Sequence, residues 1–276
     1  MTLPVSVLVL TRNEEENLAA CLETVSWCDD VHVLDSGSTD NTAPLAKGLG
    51  AQVTFREFDD WSSHQNWALE NISFKYPWVF MLDADERMTP KLGKSVASAM
   101  QAPGDKCAFE VRRRDFFLGK PLRHAQTTPY LVRLVRPERI RFSRLVNPAP
   151  QVNGPVGRLK GRLNHYPFSK GIKHWAVRHN AYAALEARQA LREQEAGERF
   201  SLKKALLSAR LSVRRRHQKG LFYKLPARPF LKFLVLYFFR LGFLDAGPGL
   251  AYVILQSMYE YWIVLKTREL QKGRGP

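Results

Sequence analysis

The chain has 276 residues, enough for one large domain or for a domain with an extension. Hydrophobic residues at 45% and aromatics at 11% are ample for a packed core, and three cysteines (Cys21, Cys28, Cys107) without metal-site spacing argue against a disulfide framework. The formal net charge of +16 favours an anionic partner: nucleic acid, a membrane surface or phosphorylated substrates. No basic segment opens the chain and acids stand at Glu14 to Glu16, so a secretory signal is not expected and a cytosolic active site is.

In chain order, Val5 to Leu10 is an apolar run of strand length, followed at once by Thr11-Arg12-Asn13-Glu14. Leu18, Ala19, Leu22 and Val25 then recur at helical spacing. Val31 to Leu34 predicts a second strand ending at Asp35, and Ser36-Gly37-Ser38-Thr39-Asp40 offers a turn and N-caps for a helix through about Lys47. Gln52 to Arg56 reads as a third strand, Trp61 to Ile72 as a helix, and Trp78 to Leu82 as a fourth strand, doubly buried. Strands alternating with helices at this pace predict βαβ units and a parallel sheet. Polar clusters after the first, second and fourth strands then fall on one lip of the sheet, where ligands of open α/β sheets bind.

The fourth strand ends in Asp83-Ala84-Asp85-Glu86. On an extended backbone Asp83 and Asp85 project to the same side, and two hard oxygen ligands suit a divalent cation holding a phosphate-bearing substrate. The competing reading is a surface turn before a helix starting near Pro90. Thr11 to Glu14 could bond a nucleobase or ribose, or only cap the next helix. Asp35 could accept from a ribose hydroxyl or a base N–H, while Ser36 to Asp40 also serve as a turn and cap. No Gly-x-Gly-x-x-Gly follows the first strand and no Gly-x-x-x-x-Gly-Lys-Ser/Thr occurs, which counts against nicotinamide and P-loop chemistry.

The segments LVLTRNEEENLAACLETV, VLDSGSTDNT, QNWAL and WVFMLDADERMTP resemble the family 2 glycosyltransferases of GT-A fold, above all the bacterial subgroup acting in lipopolysaccharide-core and surface-polysaccharide assembly. The resemblance covers about Leu3 to Thr89. It implies that Thr11, Asn13, Glu14, Asp35, Ser38, Asn66 and Asp83 contact a nucleotide-sugar donor. It also implies that Asp83 and Asp85 flank a Mg2+ or Mn2+ on the diphosphate, where the cation neutralises the leaving group. Many relatives carry Arg-Asn where this chain has Gln65-Asn66, which leaves the role of position 65 open. Inverting transfer needs a base near the acceptor hydroxyl. Similar proteins show His-Glu where this chain has Asn147-Pro148, so Asp115 is the substitute candidate beside Asp85, with Glu110 second and a surface turn the plain alternative for Asp115. His165, ending an extended piece from Leu159, is the candidate third metal ligand or a structural histidine. Leu131 to Val135 alternates like a strand, with Arg133 and Arg136 available for phosphates.

His174 to Ala196 is helix-like, with Trp175, His179 and Tyr182 bordering a cleft or docking the helix. From Phe200 to Leu244 there is no acid and there are eleven basic residues, interleaved with Phe, Tyr and Leu. That pattern suits a helix in the headgroup region of an anionic leaflet. Two apolar segments, Phe230 to Phe239 and Leu250 to Leu265, flank Gly247-Pro248-Gly249. Each is shorter than the roughly 20 apolar residues a crossing helix needs, so a hairpin dipping into one leaflet is expected, with a crossing as the alternative. The run is too greasy for a groove-binding surface, and no nucleic-acid partner is expected.

These readings predict an α/β fold: a GT-A (Rossmann-like), mostly parallel sheet flanked by helices over residues 1–170. A helical, basic, membrane-associating extension is predicted over residues 171–276. The expected function is metal-dependent, inverting transfer from a nucleotide-diphosphate sugar, UDP by default, to a lipid-linked or lipopolysaccharide-core acceptor. The expected location is the cytoplasmic face of the inner membrane, as a peripheral or monotopic protein. A sugar nucleotidyltransferase and a non-enzymatic membrane-surface binding protein with a relic nucleotide fold are the alternatives.

Overall fold

In a computed structural model, the structure describes residues 3–126, 130–144, 148–195 and 227–273. They fall into two compact units: Met1–Leu122 with Gln126–Trp175, and Arg123–Ala125 with Ala176–Pro276.

The first unit opens β1 (Ser6–Thr11), α1 (Glu15–Glu23), β2 (Val31–Asp35), α2 (Thr42–Gly48), β3 (Gln52–Phe55), α3 (Trp61–Asn71) and β4 (Val79–Asp83), as the alternation predicts. It continues with β5 (Glu86–Met88), α4 (Pro90–Gln101), β6 (Ala108–Phe117), β7 (Lys120–Pro121), β8 (Tyr130–Val135), β9 (Ile140–Ser143), β10 (Ala149–Val152) and β11 (Val156–His165). Helix α5 (Gly171–Glu195) begins in this unit. Local chemistry places the helix starts: the Asp60 side chain accepts from the Ser62 and Ser63 amides at α3, and Thr89 caps α4 ahead of Pro90.

The strands run β3-β2-β1-β4-β8-β6-β11-β5, with β7 on β6 and β9–β10 as a separate ribbon. The expected mostly parallel sheet is corrected here to a mixed one. Pairs β2–β3, β1–β2, β1–β4 and β6–β11 are parallel, whereas β4–β8, β6–β8, β5–β11 and β6–β7 are antiparallel. Parallel neighbours need a long crossover, usually helical. Helices separate the first four strands, which run parallel, whereas β8 lies between β4 and β6 antiparallel to both, and β6 and β11 beyond it are again parallel.

Alternation along β1 and β4 splits the core between the two faces of the sheet. Val7, Val9, Phe80 and Leu82 face α1 and α4, with Leu18, Leu92 and Val96. Leu8, Leu10, Val79 and Met81 face α3 and β9, with Ala68 and Ile140. Both faces of the parallel half are therefore covered. Where β11 meets α4, Gly161 has φ +98° and a Cβ there would lie 2.6 Å from the Leu92 nitrogen, so only glycine admits this approach.

In the second unit, α6 (Arg228–Leu234) passes into a π-helical turn (Val235–Phe239), then a 3-10 turn (Gly242–Asp245), then α7 (Ala246–Gln271). The expected break at Gly247-Pro248-Gly249 is also corrected. Those residues form the first turn of α7, and the chain reverses over Arg240–Asp245. A proline in a first helical turn gives up no hydrogen bond. Gly249 is needed there because a Cβ would stand 2.2 Å from the Gly242 carbonyl oxygen. Glu260, the acid within the second apolar segment, is buried and held by Arg228 and by Lys232 at 3.3 Å. Asp245 accepts backbone N–H bonds from Arg123, His124 and Ala125 at 2.8–3.0 Å. Among the described residues no helix is long and apolar enough to cross a membrane. The basic residues from Lys203 to Lys224 lie outside the described residues.

Candidate active site

Register alone assembles the lip. Leu10 of β1 stands beside Asp83 of β4, and Thr11 stands beside Asp35 of β2, so three strand ends present their polar clusters at one level.

On the β1–β2 side Asp35 organises the loops. It is 4% exposed, and its carboxylate accepts from Thr11 Oγ1 (2.9 Å), Gly37 N (3.1 Å), Ser38 N (2.8 Å) and Ser38 Oγ (2.5 Å). Asn13 sits at φ 55°, a left-handed conformation that asparagine tolerates. Its amide donates to Ser38 Oγ (2.8 Å), and its side-chain oxygen accepts from Thr39 N (2.7 Å). Glu14 is buried, takes Asn17 Nδ2 (2.7 Å) and Lys170 Nζ (2.5 Å), and is pushed up in pKa by burial against the pull of that lysine. Thr11, Asn13, Glu14, Asp35 and Ser38 are thus brought together.

Asn66 is not. Its amide nitrogen donates to Phe142 O (2.9 Å) and its oxygen accepts from Phe142 N (2.8 Å), fastening β9 to α3. Beside it, Gln65 Oε1 is buried without a partner among the described residues.

The β4 side departs from an extended Asp-x-Asp. The strand ends at Asp83, and Ala84-Asp85 form the turn into β5. The two carboxylates therefore part company. Asp83 Oδ2 is held by Arg133 Nη2 at 2.7 Å, and the same nitrogen reaches Glu86 Oε1 at 2.8 Å. Asp85 Oδ2 lies 3.4 Å from His165 Nε2, whose Nδ1 is 2.8 Å from Asp115 Oδ1. Arg113 closes the chain, 3.1 Å from Asp115 and 3.7 Å from Glu86. Burial and Arg113 press the His165 pKa down, but Asp85 and Asp115 outweigh them and lift it to about 9, so the ring is an imidazolium at neutral pH. Asp115 stays ionised despite burial because His165 and Arg113 hold it below the usual carboxylate range.

Arg133, expected to meet phosphates, is therefore a buried counter-ion, and Arg136 lies over the Trp78 ring at 4.9 Å. Trp175 is buried and stacked on Phe168, which docks the start of α5. Asn147 lies outside the described residues. Arg113 and Glu86 were visible as an arginine run and a third acid, but their pairing was not. Lys170 carried no signal at all.

The donor set suits a hard divalent cation: two carboxylates on one turn, and a His165 ring whose Nδ1 Asp115 already orients and whose Nε2 would give up its proton on binding the metal. Among the described residues, no three such side chains converge on one point. Asp83, 30% exposed at its side chain, is the more open of the two carboxylates, since Asp85 is at 10%.

Next to the lip, Arg56 Nη1 donates to His64 Nδ1 (2.9 Å), which leaves the ring proton on Nε2 facing Ser36 Oγ (3.0 Å). Burial and the Arg56 charge depress His64 to about 4. A depressed histidine contributes stability that is present above its unfolded pKa near 6.5 and is lost as pH falls towards 4. Unfolding free energy should therefore drop by up to about 3 kcal/mol across that window. Denaturant titrations should show His64→Gln with a flatter profile there; an unchanged slope would refute the assignment.

The sequence profile of glycosyl transferase family 2 matches residues 6–162. The lipopolysaccharide core biosynthesis glycosyltransferase LpsC of Rhizobium meliloti is 28% identical over 94% of this chain and 92% of its own. Among solved structures, the mannosyltransferase PcManGT of Pyrobaculum calidifontis, in complex with GDP-Man and Mn2+, aligns over 97% of this chain and 87% of its own, with TM-score 0.54 and 13% identity. That likeness speaks to fold, a GT-A-like mixed sheet flanked by helices. Glucosyl-3-phosphoglycerate synthase of Mycobacterium tuberculosis matches only 42% of this chain and 44% of its own, at TM-score 0.34 and 23% identity. With its profile matched from β1 into β11 and its strand-end clusters on one lip, this chain belongs to glycosyl transferase family 2.

Proposed function

We propose that this enzyme moves a sugar from a nucleoside-diphosphate donor to a lipid-linked or lipopolysaccharide-core acceptor, with inversion, aided by Mg2+ or Mn2+. The observation that carries the reading is the register of Thr11, Asp35 and Asp83 on three neighbouring strands. It gives the donor's nucleoside and its diphosphate adjacent berths. Thr11, Asn13 and Ser38 shape the nucleoside side; Asp83 and Asp85, with His165, would hold the cation. Once bound, the cation neutralises charge on the departing diphosphate. Asp115, committed to His165 and Arg113, acts by orienting His165 rather than by meeting an acceptor hydroxyl. Glu14 and Lys170 keep the β1 loop in place.

The acceptor class rests on the likeness to LpsC across nearly the full chain. It also rests on the second unit, where Phe238, Phe239, Leu241, Phe243 and Leu244 are 43–83% exposed around the Arg240–Asp245 reversal. Contiguous exposed apolar side chains next to cations suit one leaflet of an anionic membrane. We place the enzyme on the cytoplasmic face of the inner membrane, peripheral or monotopic, with residues 1–170 as catalytic domain and 171–276 as the helical membrane-side region.

A thermal-shift panel of UDP- and GDP-sugars with and without Mn2+ tests the reading. A donor at about 100 times its Kd should add about 2.7 kcal/mol of stability, with the metal present only. If oligonucleotides stabilise the protein and no nucleotide sugar does, the transferase reading is wrong.

A further inference from the structure

The outer face of the sheet across β5, β11, β6 and β8 has no use in the site described so far. Its composition is unlike a solvated strand face. Arg112 of β6 lies beside Tyr130 of β8 on one side and Arg162 of β11 on the other. One strand step towards the lip, Arg114 lies beside Asn164, which in turn lies beside Arg87 of β5. Arg158 joins the same face through Tyr130. Two guanidinium groups cover that ring, Arg158 at 4.0 Å and Arg112 at 4.8 Å. Next to Arg114, Phe116 and Tyr166 stack at 4.9 Å between ring centres, and Arg87 lies over Tyr166. Against five arginines, the described part of this face offers one acid, Glu110, already engaged by Arg158.

Like charges held side by side on neighbouring strands repel each other. Arg112 and Arg162 are such a pair, both exposed. The cost is offset when an anion lies between them, and the planar guanidinium fork matches carboxylate and phosphate oxygens two at a time. Half-exposed aromatic rings between the forks supply flat apolar area for the C–H faces of sugar rings. The stripe also has a direction. At its upper end Arg87 Nη1 donates to Ala84 O (2.8 Å), and the Tyr166 amide donates to Asp85 O (2.9 Å). It therefore runs into the Asp83–Asp85 turn.

We infer that this arginine–aromatic face binds the acceptor, and that the acceptor is an anionic glycan bearing phosphate or carboxylate groups. The face holds the glycan through Arg112, Arg158 and Arg162 and leads its growing end past Tyr166 to the turn where the sugar is delivered. This rests on the transferase reading and deepens it by naming the acceptor's charge.

The test is binding of full-length protein to a deacylated, phosphorylated lipopolysaccharide core oligosaccharide. It is compared with the same oligosaccharide after phosphatase treatment and carboxyl reduction, and with a 20-mer of thymidine. The charged oligosaccharide should bind, weaken as NaCl rises from about 50 to 200 mM, and lose at least about tenfold in affinity in the neutral form. The double variant Arg112→Gln, Arg162→Gln should lose at least about tenfold as well, read in turnover as a raised acceptor KM with kcat largely kept. Arg158→Gln is the second variant should the double one fail to fold. Undiminished binding by a folded variant, equal binding of the neutral form, or tighter binding of the 20-mer would each overturn the assignment. Donor-dependent thermal shift of the wild-type protein is read separately. Its absence removes the transferase reading whatever the face binds, and its presence beside failed glycan binding removes only the inference made here.

Discussion

Asp85→Asn should abolish most sugar transfer, by about 100-fold or more, while the protein remains folded. The substitution keeps the shape of the side chain and removes a negative charge that would face the cation. It also loosens one of two carboxylate contacts on His165, at 3.4 Å, and leaves the shorter one to Asp115 at 2.8 Å intact. Stability should therefore change little. Metal-dependent donor hydrolysis, measured alongside a melting curve, separates the two effects. Asp115→Asn makes a useful contrast. It acts through His165, so its loss should be about 10- to 100-fold and partly recovered at higher Mn2+, as for residues that orient a ligand. Near-normal turnover by Asp85→Asn would remove the catalytic role given to the β4–β5 turn.

Arg133→Met should produce the opposite pattern, a large loss of stability. Arg133 is 8% exposed and is the shared partner of Asp83 and of Glu86, which is wholly buried. Burial raises the Glu86 pKa against the pull of Arg133 and Arg113. Without Arg133 that carboxylate is left with Arg113 at 3.7 Å as its cation. Breaking a buried pair from one side costs about 3–5 kcal/mol because an uncompensated charge remains. The double variant Arg133→Met, Glu86→Gln removes both charges and should recover a good part of the loss. Denaturant midpoints of the wild type, both single variants and the double variant measure the coupling. A cost below about 1 kcal/mol for Arg133→Met would show that the network does not support the turn.

The contrast between these variants marks what could be read in advance and what could not. Strand-length apolar runs and 3.6-residue spacing located β1 to β4 and the helices between them. The acids and hydroxyls following those runs located the lip, because a parallel sheet buries both faces and leaves polar residues only its ends. Thr11, Asn13, Asp35, Ser38 and Asp83 could be placed on one lip for that reason. Asn66 could not be placed in the same way, since an amide in a helix looks the same in sequence whether it meets a ligand or, as here, bonds the Phe142 backbone.

By itself the sequence determined the family, the order of elements in the first four strands and the presence of an acidic cluster at Asp83–Glu86, though not the turn that separates its two aspartates. Only the tertiary structure decided that β8 and β5 run antiparallel to their neighbours, since a hydrophobic run specifies a strand but not its partner's direction. Only it, too, joined Arg133, Glu86, Arg113, Asp115 and His165, residues as much as 79 positions apart, into one chain of contacts with the two aspartates. The physical reason is the same in both cases. Local pattern records which groups avoid water, whereas charge pairing depends on which strands are brought side by side.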